Sequence, residues 1–107
     1  MNSITPAEVS RHINSGKTIR LLDVRELNEH EFVALPNSIL IPLAELEVRA
    51  AEIAAWMHEE VVVYCHHGIR SAHAVEILVE QGFRNAVNLS GGIDRWSVEV
   101  DQQLPRY

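Results

Sequence analysis

The sequence predicts an α/β domain built around a central parallel β-sheet with helices on both faces. Short apolar segments alternate with segments of helical periodicity along the chain, a pattern typical of strand–helix–strand units. One segment, "VVVYC", is apolar throughout, as expected of a strand covered on both sides. The 107 residues fit a single domain. We expect its core at about 4–99 and a C-terminal tail at 100–107.

The first helix is marked by its start. Thr5 suits the N-cap, Pro6 suits the first helical position, and Glu8 stands three residues after the cap, which together form a capping box. Gly16 is a helix stop signal. The pattern therefore predicts a helix from Pro6 to about Ser15.

The later elements follow from periodicity and from glycine and proline positions. "TIRLLDV" is a strand candidate, and the polar "RELNEHEF" after it indicates a strand end that meets solvent. Pro42 closes a second short strand, because proline cannot donate a ladder hydrogen bond. The remaining predictions are a helix over 43–57, a strand over 61–65, a helix from Ser71 to Gln81 ended by Gly82, a strand over 85–90, and a glycine turn into a short last helix.

Composition argues against several classes of function. The formal net charge is −6, and the basic residues are scattered, so we expect no nucleic-acid partner. The longest apolar runs are far shorter than the roughly 20 residues of a membrane-spanning helix, and the N-terminal stretch lacks the basic and apolar regions of a signal peptide. We therefore expect a cytoplasmic protein without a membrane partner.

Three separated segments should meet at one edge of the sheet. In open α/β sheets, ligands bind outside the carboxyl ends of the strands. Those ends carry Asp23 with Arg25, Cys65 with the loop after it, and the glycine turn that follows Ser90. The sequence therefore predicts a functional site at this edge.

Cys65 is the only cysteine, so it makes no internal disulfide, and a cysteine-based zinc site would need further ligands. A thiol is nucleophilic only as thiolate. The N-terminus of the next helix favours an anion, Gly68 allows backbone N–H groups to turn inward around the sulfur, and Arg70 adds a positive charge. The alternative is a plain core residue, since cysteine is among the most buried residue types.

His66 and His67 suggest a metal site at first sight. Adjacent residues on a tight loop do not readily present both rings and a thiolate to one tetrahedral ion, so we predict no metal and no cofactor. We expect the two rings to form the mouth of a pocket, where one of them steers a substrate or shares a proton. The other histidines are expected at surface or packing positions: His12, His30, His58 and His73.

Taken together, "ITPAEV", "LLDVRE", "VVVYCHHGIRSAHAVEILVEQGF" and "VNLSGGIDRW" resemble the single-domain rhodaneses, a family of sulfurtransferases. The resemblance implies that Cys65 carries sulfur as a persulfide, which it takes from a donor such as thiosulfate or another persulfide and passes to cyanide or a thiol. Backbone N–H groups from His66 through Ile69 to Ser71 would stabilise the persulfide. Arg70 would attract an anionic donor.

The resemblance also assigns a bracing role to Asp23 and Arg25, which match the family's "D-x-R", most simply as a structural salt bridge. It is compatible with a protein partner in a sulfur relay. Thiosulfate, a desulfurase persulfide, glutathione persulfide and the thiol of a carrier protein all fit a small exposed site.

Two alternatives stay open at this point. Related phosphatases and arsenate reductases place five residues between cysteine and arginine, whereas "CHHGIR" has four, which favours sulfur over a tetrahedral oxyanion. A rhodanese-like module that binds or regulates without catalysis commonly lacks the cysteine, which is present here.

Overall fold

A computed structural model describes residues 2–107. Its centre is a five-stranded sheet with the order β1-β5-β4-β2-β3, and every strand pair is parallel. The strands are β1 Ser3–Ile4, β2 Arg20–Asp23, β3 Ile39–Leu40, β4 Glu60–Tyr64 and β5 Asn85–Leu89. The predicted parallel α/β class is thereby confirmed.

Helices cover both faces of this sheet. They are α1 Pro6–Asn14, α2 Leu27–Phe32, α3 Leu46–Arg49, α4 Ile69–Glu80 and α5 Gly92–Glu99, with 3₁₀ turns at Leu43–Glu45 and Ala50–Trp56. Among residues 2–107, none of these helices is both long and apolar enough to cross a membrane.

The start of α1 confirms the predicted capping box. The hydroxyl of Thr5 accepts a hydrogen bond from the Glu8 N–H at 3.2 Å, and the Glu8 carboxylate accepts one from the Thr5 N–H at 3.0 Å. Pro6 follows the cap, where its missing N–H costs nothing.

Strand β4 lies at the centre and separates two apolar clusters. Val61, Val63 and Cys65 face one cluster with residues of α3 and α4. Val62 and Tyr64 face the other, with residues of α1 and α5. Because side chains alternate along a strand, the continuous apolar run fills both clusters and holds the start of the Cys65 loop between them.

The predicted helix over 43–57 is wrong in detail. A single α-helix is replaced by the two 3₁₀ turns around α3, and Ile53 has non-helical torsion angles. Leu46, Ala50 and Ile53 are buried. Their spacing fits repeats of 3.0 and 3.6 residues about equally, so the apolar pattern did not distinguish the two helix types.

Two further expectations need correction. The polar segment after β2 contains α2, a six-residue helix that buries none of its residues and therefore has no apolar periodicity to reveal it. Helix α4 begins at Ile69 rather than Ser71, with Gly68 as its N-cap at φ 108°. Ile69, Arg70 and Ser71 thus form the first turn of a helix and are not part of a loop.

Candidate active site

Cys65 follows the central strand and lies under the N-terminus of α4. Residues of β2 and β5 pair with β4 on its two sides, so the strand fixes the position of the cysteine. The residue is 2% exposed. A nearly buried thiol at the positive end of a helix is well placed to be held as an anion.

Three donors or potential donors surround the sulfur. The Gly68 N–H donates to Cys65 Sγ at 3.1 Å, the Ser71 N–H donates at 3.4 Å, and Ser71 Oγ lies 3.3 Å from Sγ. Gly68 has φ 108°, a conformation that L side chains rarely adopt. The glycine therefore allows the chain to turn its N–H groups toward the sulfur.

The pKa of Cys65 reflects a balance between burial and hydrogen bonding. Burial alone would raise the pKa, but the hydroxyl of Ser71 and backbone N–H groups of Ser71, Gly68 and His67 outweigh it, so the pKa lies below the usual thiol value. The surroundings therefore increase the fraction of nucleophilic thiolate at neutral pH.

Asn88 of β5 bridges the two sides of this cradle. Its amide Nδ2 donates to the Gly68 carbonyl at 3.1 Å, and its Oδ1 accepts from the Ser71 hydroxyl at 2.5 Å. Sequence reasoning missed this residue. Asn88 lies one position before Leu89, in a segment that the sequence predicts only as a strand. An asparagine inside an apolar strand is the signal that could have identified it.

The turn from β5 into α5 holds the Cys65 loop from the other side. The Ile93 N–H donates to the Cys65 carbonyl at 2.9 Å, and the Asp94 N–H donates to the His66 carbonyl at 3.1 Å. A Cβ on Gly92 would lie 2.3 Å from the His66 carbonyl oxygen, a distance that no side chain tolerates. The glycine turn predicted from the sequence thus permits the backbones to approach closely.

Asp23 and Arg25 form a fully buried ion pair. The Asp23 carboxylate accepts from Arg25 Nε at 2.9 Å and from Nη2 at 2.7 Å, and both side chains are 0% exposed. His30 Nδ1 lies 2.8 Å from Asp23 Oδ2. The expectation of a strand end open to solvent is therefore wrong, because α2 and the segment around Val33 cover it, and His30 belongs to this network.

Arg70 does not reach toward the sulfur with a free guanidinium. Its Nη1 donates to Glu29 Oε1 at 2.7 Å and its Nη2 donates to Glu29 Oε2 at 3.0 Å. These bonds, together with those from the Glu26 N–H and the Tyr107 hydroxyl, lower the pKa of Glu29 to about 2. The carboxylate comes from α2, the helix that the sequence did not reveal, so this pairing was missed as well.

Tyr107, in the predicted tail, lies over the site. Its hydroxyl donates to Glu29 Oε2 at 2.7 Å and accepts from Arg25 Nη1 at 2.8 Å. Its ring stacks on His66 with a centroid distance of 3.8 Å and meets the edge of Phe32. Tyr107 therefore connects the Asp23 and Arg25 pair to the cysteine loop.

The two loop histidines stand at the mouth. Their ring centroids are 3.9 Å apart, and the side chain of His67 is 60% exposed. Burial, and then the neighbouring His67, lower the pKa of His66, so His66 is mostly neutral at pH 7. Within the described range 2–107, no three His, Cys, Asp or Glu side chains form a group that could hold a metal ion.

The arrangement provides an activated sulfur nucleophile in a small cradle. Sγ faces the backbone N–H groups at the start of α4, and the stacked rings of His66 and Tyr107 lie next to the loop. Such a site supports covalent catalysis in which the cysteine accepts a group and passes it on.

Comparison with known proteins gives the family that the chain resembles. A family model described as the rhodanese-like domain matches residues 5–99. A putative sulfur carrier protein of Bacillus subtilis, YrkF, is 35% identical over 89 residues, which cover 83% of this chain. The matched region is only 47% of the Bacillus protein, so this chain spans less than half of that relative.

Solved structures share the fold over nearly the whole chain. A rhodanese-related protein from Thermoplasma volcanium has a TM-score of 0.82 and 37% identity, with 94% of each chain covered. The human single-domain sulfurtransferase TSTD1 has a TM-score of 0.80 and 26% identity, with 92% of this chain and 97% of that chain covered.

Proposed function

The chain belongs to the family of rhodanese-like domains, and on that premise we propose that it moves a sulfane sulfur from a donor to a thiophilic acceptor through a persulfide on Cys65. The observation that carries the proposal is the cradle at the start of α4, where Gly68 and Ser71 direct hydrogen bonds to the sulfur. Sulfurtransferases are among the proteins of similar fold.

The reaction has two displacements. In the first, the Cys65 thiolate attacks the sulfane sulfur of the donor, a new S–S bond forms, and the donor leaves with the electron pair of the broken bond, as sulfite from thiosulfate or as a thiolate from a persulfide. In the second, a thiol or cyanide acceptor attacks the outer sulfur, and the electrons of the S–S bond return to Cys65 Sγ. No oxidant or reductant is consumed.

The cradle stabilises negative charge in both steps. The N–H groups that face Sγ in the resting thiolate lie at the start of α4, where the helix dipole favours the persulfide anion as well. The Asp23 and Arg25 pair contributes indirectly, through the Tyr107 hydroxyl and its ring on His66. It braces the mouth without contacting the reacting sulfur.

The phosphatase alternative fits the site less well. An oxyanion cradle needs an arginine directed at the bound anion, and here both outer nitrogens of Arg70 are hydrogen-bonded to Glu29. The short spacing from Cys65 to Arg70 points the same way. A purely binding module would have no use for a thiol with a lowered pKa.

The proposal is tested by sulfur uptake. We expect incubation with thiosulfate or glutathione persulfide, followed by intact-protein mass spectrometry, to show a reducible gain of one sulfur atom that cyanide removes as thiocyanate. Cys65→Ser should take up no sulfur, since Cys65 is the only cysteine. Circular dichroism should show that this variant is folded. Unchanged turnover in Cys65→Ser, or efficient aryl phosphate hydrolysis without sulfur uptake, would contradict the mechanism.

A further inference from the structure

The geometry points to Glu29 as a specificity-determining residue that selects the donor by charge. Because Glu29 is paired with Arg70, the guanidinium is not free to bind a compact dianion such as thiosulfate. The site is then suited to persulfide donors, whose charges beyond the persulfide group lie far from the transferred sulfur. This inference rests on the proposed sulfur transfer and names its donor class.

Glu29 holds Arg70 with a complete set of hydrogen bonds. Both carboxylate oxygens accept from the guanidinium, at 2.7 and 3.0 Å. Oε1 also accepts from the Glu26 N–H at 3.0 Å, and Oε2 also accepts from the Tyr107 hydroxyl at 2.7 Å. The Glu29 side chain is 14% exposed. A sulfonate that binds Arg70 must displace a carboxylate that accepts four hydrogen bonds from three residues, which opposes binding.

The other arginines around the mouth, in the part of the chain that the structure describes, also have carboxylate partners. Arg25 is buried against Asp23. Arg106 donates to Asp94 at 2.9 and 3.1 Å, and the backbone of Asp94 is bonded to the His66 carbonyl. The formal charges of these pairs cancel, so the mouth offers little net attraction to a dianion.

The histidines do not change this balance. The pKa of His66 lies below its ordinary value because of burial and His67, so its ring carries little charge at pH 7. His67 Nδ1 lies 3.9 Å from Asp94 Oδ2. A persulfide donor needs no cation at the mouth, since the helix N-terminus around Cys65 receives the transferred sulfur.

The test compares two donors in matched variants. Glu29→Gln removes the charge and keeps the side-chain size, and Glu31→Gln makes the same charge change at an exposed position of the same helix. For Glu29→Gln, we expect kcat/KM with thiosulfate to rise about tenfold, mainly through KM, while kcat/KM with glutathione persulfide changes less than about threefold. Glu31→Gln should change neither value by more than about twofold.

A double variant ties the effect to Arg70. In Glu29→Gln with Arg70→Gln, the gain with thiosulfate should disappear, because the gain depends on the guanidinium that Glu29 had occupied. The wild-type protein gives a measurement that needs no variant: kcat/KM for glutathione persulfide should exceed that for thiosulfate by about tenfold or more.

The outcomes separate the two proposals. If no donor places sulfur on Cys65, the proposed function fails. Two results would overturn only the assignment of Glu29, provided that Cys65 takes up sulfur. One is the same ratio of the two kcat/KM values in Glu29→Gln and Glu31→Gln. The other is a wild type whose kcat/KM for thiosulfate equals that for the persulfide. A thermal melt of Glu29→Gln shows whether the variant is folded.

Discussion

At the residue scale, the hydroxyl of Ser71 has two partners and one proton. It lies 3.3 Å from Cys65 Sγ and donates to Asn88 Oδ1 at 2.5 Å. The amide orientation of Asn88 is set by its other bond, from Nδ2 to the Gly68 carbonyl. Asn88 thus competes with the sulfur for the Ser71 proton and limits how far the hydroxyl stabilises the thiolate.

We predict that Ser71→Ala raises the pKa of Cys65, because the Ser71 hydroxyl is the leading hydrogen-bonding contribution that lowers it. A higher pKa means less thiolate at neutral pH, so alkylation by iodoacetamide at pH 7 should slow about three- to tenfold. The pH dependence of the alkylation rate gives the pKa directly.

Ser97→Ala is the matched control. Ser97 is also a buried serine, but its hydroxyl donates to the Ile93 carbonyl within α5. Its alkylation profile should overlay that of the wild type. An unshifted profile in Ser71→Ala would show that backbone N–H groups alone hold the thiolate.

At the element scale, the start of α5 positions the Cys65 loop. Two of its N–H groups donate to the carbonyls of Cys65 and His66, and Gly92, at φ 64°, leaves the space in which the backbones meet. The cradle is therefore built from two helix starts, since α4 supplies donors to the sulfur and α5 supplies donors to the loop backbone.

Gly92→Ala should break this contact. Its Cβ would lie within 2.6 Å of three backbone atoms of Cys65 and His66, so we expect a loss of about 3 kcal/mol or more in the free energy of unfolding, and slower sulfur uptake. Urea unfolding followed by circular dichroism measures the first effect.

Gly16→Ala separates crowding from backbone strain. Gly16 also has a positive φ, 86°, but nothing lies within 4 Å of its Cβ position. We expect this variant to lose only about 1 to 2 kcal/mol and to take up sulfur at the wild-type rate. Equal losses in the two glycine variants would rule out the close approach as the cause.

How far the elements could be predicted depends on whether they bury an apolar face. Helix α1 has a capping box that is local in sequence, and β4 is apolar throughout, so both were found. Helix α2 buries no residue and is held by polar bonds such as that from the Glu26 N–H to Glu29. Such bonds leave no periodic signal in the chain.

The same reasoning explains which parts of the site were found. Cys65 and Gly68 are adjacent to a strand end, where local sequence predicts a loop and a helix start. Asn88 is 17 residues from its partner Ser71, Glu29 is 41 residues from Arg70, and Tyr107 is 78 residues from Glu29. Their pairings depend on how the sheet and helices pack, and a single sequence carries no local pattern that encodes them.

At the scale of the whole molecule, the Glu29 pairing joins α2, α4 and the tail, and it should contribute to acid sensitivity. The pKa of Glu29 is lowered from 4.5 to about 2, mainly by Arg70 and further by the Glu26 N–H and the Tyr107 hydroxyl. A group with a lower pKa in the folded state stabilises the fold above its unfolded pKa, and this contribution is lost as the pH falls from about 4.5 to about 2.

We predict that the free energy of unfolding falls over this window in the wild type and falls less in Glu29→Gln. The difference at neutral pH should be about 1 to 2 kcal/mol, since Arg70 is 38% exposed and solvent screens the pair. Urea titrations at a series of pH values check it, with Glu31→Gln as the variant that should follow the wild type. Parallel curves for all three proteins would exclude this contribution.

The placement of β4 between β2 and β5 also makes the site depend on residues that follow it in the chain. Gly68 is tied to Asn88, 20 residues later in the chain, and Cys65 is tied to Ile93. Such distant contacts form late, because closing long segments of chain costs entropy first. We therefore expect the Cys65 loop to reach its final geometry only when 85–94 have docked against β4.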